Sequence, residues 1–387
     1  MKKLLLIFII AAYVIFLPGY VQADNVKNNA DQVNQFDNTE VNKFYNYIDK
    51  NKSQYEILED MDFRTYASDF IKNGKGNISF KSIIKAINTY VFKEIFSSMK
   101  LMGILIVIAV ICALLNNLED AFENGNVSNV ASFACYALII IVISQNFYIC
   151  SELAKNTINK LSDFISALFP VILSLLAGSG GYTEAAVLDP LIIGFISFTV
   201  RIFVDFIIPL AFMSFVLGFV DNLSDDYKVD KLSGLLKQIV IWSQGIIMTI
   251  FVGIMTVRGI TASTADEVAA KTAKFAVDSF VPVVGKCLSD AISNIAGYSL
   301  LLKNAISSVG LIIVIIIVAF PIIKILIAAF LFKLTGAVIE PISSKNIVNC
   351  ITSAGDSLIL VDSCLICVSV MFFIMISIIA AAGRMVI

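Results

Sequence analysis

The chain contains no histidine, a single tryptophan and few charges: 15% of its 387 residues are Asp, Glu, Lys or Arg, against 58% hydrophobic. The missing histidine removes imidazole acid–base catalysis, the Ser-His-Asp and Cys-His nucleophile pairs and histidine metal sites in one step. Seven cysteines are present, Cys112, Cys135, Cys150, Cys287, Cys350, Cys364 and Cys367. None falls in the polar N-terminal region, so no disulfide framework is implied there. Gly178-Ser179-Gly180-Gly181 lacks the Lys-Ser/Thr that completes a phosphate loop. The net charge of −2 comes with no basic cluster, so nothing points to nucleic acid. Soluble domains carry about 25% charged residues. With a mean hydropathy of +0.87, the composition instead defines an all-α polytopic membrane protein.

What is present reads in order as follows. Lys2 and Lys3, the apolar run Leu4–Leu17 and Val21-Gln22-Ala23 form a secretory signal peptide, residues 1–23. An uncleaved signal anchor is the rival; either way the next residues are exported. Residues 24–97 begin Asn/Asp-rich, as a disordered lead-in does. They then turn helical, with Ile83, Ile84, Ile87, Val91 and Ile95 as an apolar stripe. The polytopic region is 98–387. Spans are expected near 101–118, 130–150, 187–203, 205–221, 239–257, 306–323 and 358–382, with 322–338 as an eighth. Residues 164–177 are too short to cross and contain Pro170, so they read as re-entrant or interfacial. The stretch Thr256–Asn304 is too polar to span alone and too apolar for a solvated loop, which also predicts an interfacial or re-entrant segment.

Two units resemble each other, about 130–237 and 239–356, with the span 358–382 left over. Phe169-Pro170-Val171, Gly181-Tyr182 and Gly194 in the first match Val281-Pro282-Val283, Gly297-Tyr298 and Gly310 in the second. Ile208-Pro209-Leu210 likewise matches Phe320-Pro321-Ile322. Duplicated units with interrupted helices line central sites in many transporters; duplication for packing alone is the plainer alternative. Pro170, Pro282, Gly181 and Gly297 are therefore candidate conduit or structural positions.

Arg201 and Asp205 stand four apart on one predicted helix and can pair, either gating or binding an ion, or as a structural ion pair near one membrane face. Lys324 and Lys333 are expected to snorkel. Cys364 and Cys367 have CxxC spacing inside an apolar run, without a second pair, and read as small core residues. No catalytic, cofactor or metal residue emerges, and no enzyme is expected.

Gly259–Asn304, with ADEVAAKTAKFAVDSFVPVVGKCLSDA and GYSLLLKN, resembles the stage III sporulation protein AE family of endospore-forming bacteria. The likeness runs along the whole chain and is loosest in the Asn-rich N-terminal region. It implies a multi-pass membrane component of a mother-cell-encoded complex around the engulfed forespore. Implied partners are an AAA-type ATPase, ring-forming subunits related to secretion systems and a forespore-membrane protein met across the intermembrane space. The complex would form a channel that maintains the forespore and its late gene expression, with residues 24–97 in the intermembrane space. The alternative is an autonomous ion- or proton-coupled permease, which the repeat and Arg201/Asp205 also suit.

Overall fold

The computed structural model describes residues 39–51, 80–119, 125–179, 193–223, 229–280 and 285–381, together with Thr65 and Asp69. The expected signal peptide and much of the exported region lie outside the described residues. Among the described residues there are seven helices: α1, Thr39–Asn51; α2, Phe80–Glu119; α3, Gly125–Gly178; α4, 193–223; α5, Asp230–Phe280; α6, Gly285–Ile339; and α7, Lys345–Ala381. Six of them, α2 to α7, are long and apolar enough to cross a membrane. Their outward faces carry Phe96, Phe133, Phe198, Met213, Trp242 and Phe330, all exposed. Large apolar side chains spread over an exterior like this suit lipid and not water.

Hydropathy predicts seven or eight spans; the described residues hold six because several predicted pieces are continuous. Residues 187–203 and 205–221 fall largely on α4, and 306–323 and 322–338 both lie on α6. The predicted re-entrant segment 164–177 is the last part of α3, joined without a break to 130–150, and Pro170 lies inside that helix. At about 1.5 Å per residue, a 54-residue helix is about 80 Å long, more than twice the hydrocarbon thickness. Part of α3 is thus apolar because it meets protein. Phe164, Leu168, Phe169 and Ile172 are buried, and Phe164 meets Phe44 of α1 with ring centroids 6.0 Å apart.

Helix direction follows from the contacts. Tyr90 lies edge-on to Phe320 and Glu94 pairs with Lys324, so α2 and α6 run parallel. Tyr136 donates to the Phe219 carbonyl and Phe147 stacks on Phe215, so α3 and α4 are antiparallel. α6 is antiparallel to α3, where Gly178 approaches Ser299 and Gly310 approaches Leu168, and to α7, where Gly336 approaches Thr352 and Gly355 approaches Ala329. Helices α2, α4 and α6 therefore point one way and α3, α5 and α7 the other. The start of α2, the junction between α5 and α6 and the end of α7 share one end of the bundle. Thr256–Asn304 accordingly forms the last part of α5 and the first part of α6, with 281–284 between them outside the described residues. The apolar stripe Ile83–Ile95, in the region expected to be exported, is continuous with the first expected span in α2.

α7 is the hub. It packs on α3, α4, α5 and α6, and it is the most enclosed span, with α2 and α5 the least enclosed. Small residues allow this approach, as is general between helices in lipid. A Cβ on Gly355 would come within 3.0 Å of the Ala329 carbonyl oxygen, a backbone atom of α6 with little room to move. A Cβ on Gly310 of α6 would meet Leu168 of α3 at 2.6 Å.

Candidate functional site: a polar layer at mid-depth

α4 contains a local irregularity with a readable cause. Pro209 has no N–H to give the carbonyl of Asp205, four residues back, and its ring crowds that carbonyl. The preceding turn is widened: Ile202–Ile207 is π-helical, and the Ile208 N–H reaches the Phe203 carbonyl five residues back. One extra residue per turn moves Asp205 off the stack beneath Arg201 that a four-residue spacing gives in an α-helix. Both side chains are exposed. No ion pair joins them among the described residues, in contrast to the pairing their spacing predicts.

The widened turn lies level with the polar groups of the neighbouring helices. Ser214 and Ser233 exchange hydrogen bonds, each hydroxyl donating to the other's carbonyl at 3.1 and 3.0 Å, which fixes the register of α4 against α5. Carried along the helices, that register brings Phe203 level with Gln244. Gln244 is buried. Its Nε2 donates to the Cys364 sulfur at 3.0 Å, and its Oε1 accepts from the Ser363 hydroxyl at 3.1 Å. Cys364 donates in turn to the Leu360 carbonyl, and Cys367 lies 3.9 Å from the Gln244 carbonyl oxygen. The CxxC cysteines are thus buried, free thiols that help seat a glutamine between α5 and α7, in keeping with a core role.

Lys333 of α6 pairs with Asp356 of α7 at 2.6 Å, and Gly336 faces Thr352. This antiparallel register brings Lys324 within about a turn of the level of Asp362. The Lys324 ammonium is turned outward to Glu94 of α2, 3.6 Å away. Cys150 of α3 lies among the charges of Lys324, Glu94 and Asp362. Six helices consequently contribute to one polar layer: Glu94, Cys150, Arg201 and Asp205, Gln244, Lys324, and Asp362 with Ser363 and Cys364. The layer crosses α5 and α7 near their spans' midpoints.

The other sequence candidates are scattered. Pro170 is exposed on α3, well away from the layer, and Gly297 lies within α6 with open space around its Cα. Gly181 and Pro282 lie outside the described residues. Sequence reasoning missed Asp362 and Gln244. Asp362 was detectable as the one carboxylate in 358–382; Gln244 gave no signal of its own, because glutamine is unremarkable until it is enclosed.

These features define a multi-pass α-helical membrane protein with an apolar exterior and a polar layer at mid-depth. The family model described as stage III sporulation protein AE matches residues 61–383. Stage III sporulation protein AE of Bacillus subtilis (strain 168) is 35% identical over 313 residues, covering 81% of this chain and 78% of that protein. The chain belongs to the stage III sporulation protein AE family and is a sporulation membrane protein. No solved structure matches it.

Proposed function

We propose that this protein is a non-enzymatic, membrane-embedded component of the channel complex that links mother cell and forespore. The observation that carries the reading is the exposure of Arg201 and Asp205 near the middle of a span. A charge facing lipid at that depth costs about 2.5–3.5 kcal/mol on insertion scales, so such residues normally face protein or a water-filled passage. An outward-facing pair on the outermost side of α4 therefore favours a bundle that is incomplete alone and is covered by neighbouring subunits.

In this reading the bundle sits in the mother-cell membrane around the forespore. The end shared by the start of α2, the α5–α6 junction and the end of α7 faces the intermembrane space, with residues 24–97. There it meets the forespore-membrane partner; ring-forming subunits surround it, and an AAA-type ATPase acts from the mother-cell side. The complex keeps the forespore intact and transcriptionally active after engulfment.

The test is a clean deletion followed through sporulation with a membrane dye and a late forespore reporter. Engulfment that completes, followed by a shrinking forespore and a dark reporter, is the expected result. Normal sporulation with a defect in vegetative uptake or efflux would replace this reading with the autonomous permease.

A further inference from the structure

Asp362 occupies the middle of α7, the most enclosed span, and is 1% exposed. Neither of its carboxylate oxygens has a hydrogen-bond partner among the described residues. A buried carboxylate without partners is among the least tolerable groups a membrane interior can hold, and intramembrane acids face functional interiors for that reason. The surrounding helices had the means to neutralise it and do not. Lys324 of α6, within about a turn of the level of Asp362, is engaged with Glu94 of α2. Gln244 of α5 spends its amide on Cys364 and Ser363. From α4 the charged groups are Arg201 and Asp205, both exposed on the bundle exterior. On α3 the titratable groups near this level are Cys150 and the half-buried Glu152 and Lys155, and on α7 itself Cys364, a thiol already donating to the Leu360 carbonyl.

We propose that Asp362 is a proton-exchange site at mid-depth of the bundle, its ligand being a proton delivered from water. The proton is the one cation that a single oxygen can hold by itself. A metal ion at this position needs several oxygen ligands, and no group of three candidate ligands occurs among the described residues. The step balances simply: an O–H bond forms on one carboxylate oxygen, one breaks in hydronium, and water is released as the aspartate charge is lost. The site goes beyond the channel role and is independent of whether the bundle acts alone or within an assembly.

The experiment uses the full chain in lipid vesicles and infrared difference spectroscopy between acid and alkaline buffers. A carboxylic-acid C=O stretch that disappears as pH rises, is absent from Asp362→Asn and returns at a shifted position in Asp362→Glu is the expected result. Identical wild-type and Asp362→Asn difference spectra would mean an aspartate that does not titrate; absolute spectra then separate a permanently neutral acid, with its C=O band at every pH, from one ionised throughout. Either overturns the proposal. Should Asp362→Asn fail to fold, dicyclohexylcarbodiimide, which reacts with protonated carboxyls in apolar surroundings, is applied to the unaltered protein. Modification of the Asp362 peptide that falls at least tenfold from acid to alkaline buffer supports the site, and no modification, or pH-independent modification, sinks it. The deletion phenotype does not enter these readouts, so failure of the proton site and failure of the channel reading are separate results.

Discussion

α7 and α4 both place charge at the same depth, and they handle it in opposite ways. α7 is enclosed by four helices, and Asp362 is sealed inside with no partner among the described residues. α4 is less enclosed than α7, and Arg201 and Asp205 look outward from a widened turn. The cost of the first is borne within the chain, and the cost of the second is removed only by something outside it. In the proposed reading, an inward charge serves what the bundle does internally, and an outward one lies where it meets a neighbour.

The largest expected effect probes the packing on the enclosed side. Gly355→Leu forces a side chain into the α6 backbone at Ala329 and should abolish accumulation of folded protein. Gly245→Leu on α5 enters open space and should leave the level unchanged. Immunoblots of membrane fractions and thermal unfolding in detergent measure both, and equal damage at the two positions would dissolve the distinction between hub and edge.

Next is Asp362→Leu. Removing a buried, unsatisfied polar group should stabilise the isolated protein by about 1–3 kcal/mol while spore yield falls, because the same group is the proposed proton site. A drop in thermal stability would show that Asp362 has an attractive partner after all.

Gln244→Leu takes two interhelical hydrogen bonds from the layer and should cost about 0.6 kcal/mol for each, the average for such bonds between membrane helices. Unfolding in graded denaturing detergent reads this, and no loss would mean that Ser363 and Cys364 are satisfied by their own helix.

The smallest effect on the isolated protein belongs to the edge. Arg201→Leu and Asp205→Leu should change its stability by no more than about 0.5 kcal/mol, yet reduce recovery of the protein in a large complex from sporulating membranes. Lost stability with normal assembly would turn the pair into an internal structural device.

Hydropathy failed in an informative place. The predicted breaks between 187–203 and 205–221, and between 306–323 and 322–338, fall beside Arg201, Asp205 and Lys324. A linear window reads a charge as the membrane surface. Here the charges lie inside continuous helices, and they were taken for the ends of spans. Conversely, 164–177 is apolar enough to suggest lipid, although its partners are Phe44 and the α6 face around Gly310. The apolar character of a segment does not say whether lipid or protein lies against it.

Composition by itself determined the class: with 58% hydrophobic residues, 15% charged and no histidine, the chain had to be a helical membrane protein without imidazole chemistry. The order of residues through 61–383 determined the family. The tertiary structure alone decided that one charged pair faces out, that a lone carboxylate faces in, and that six helices bring their polar groups to one level. Those outcomes depend on helix register and on how closely Gly310 and Gly355 let neighbours approach. Such contacts join residues far apart in the chain, and no local window contains both partners.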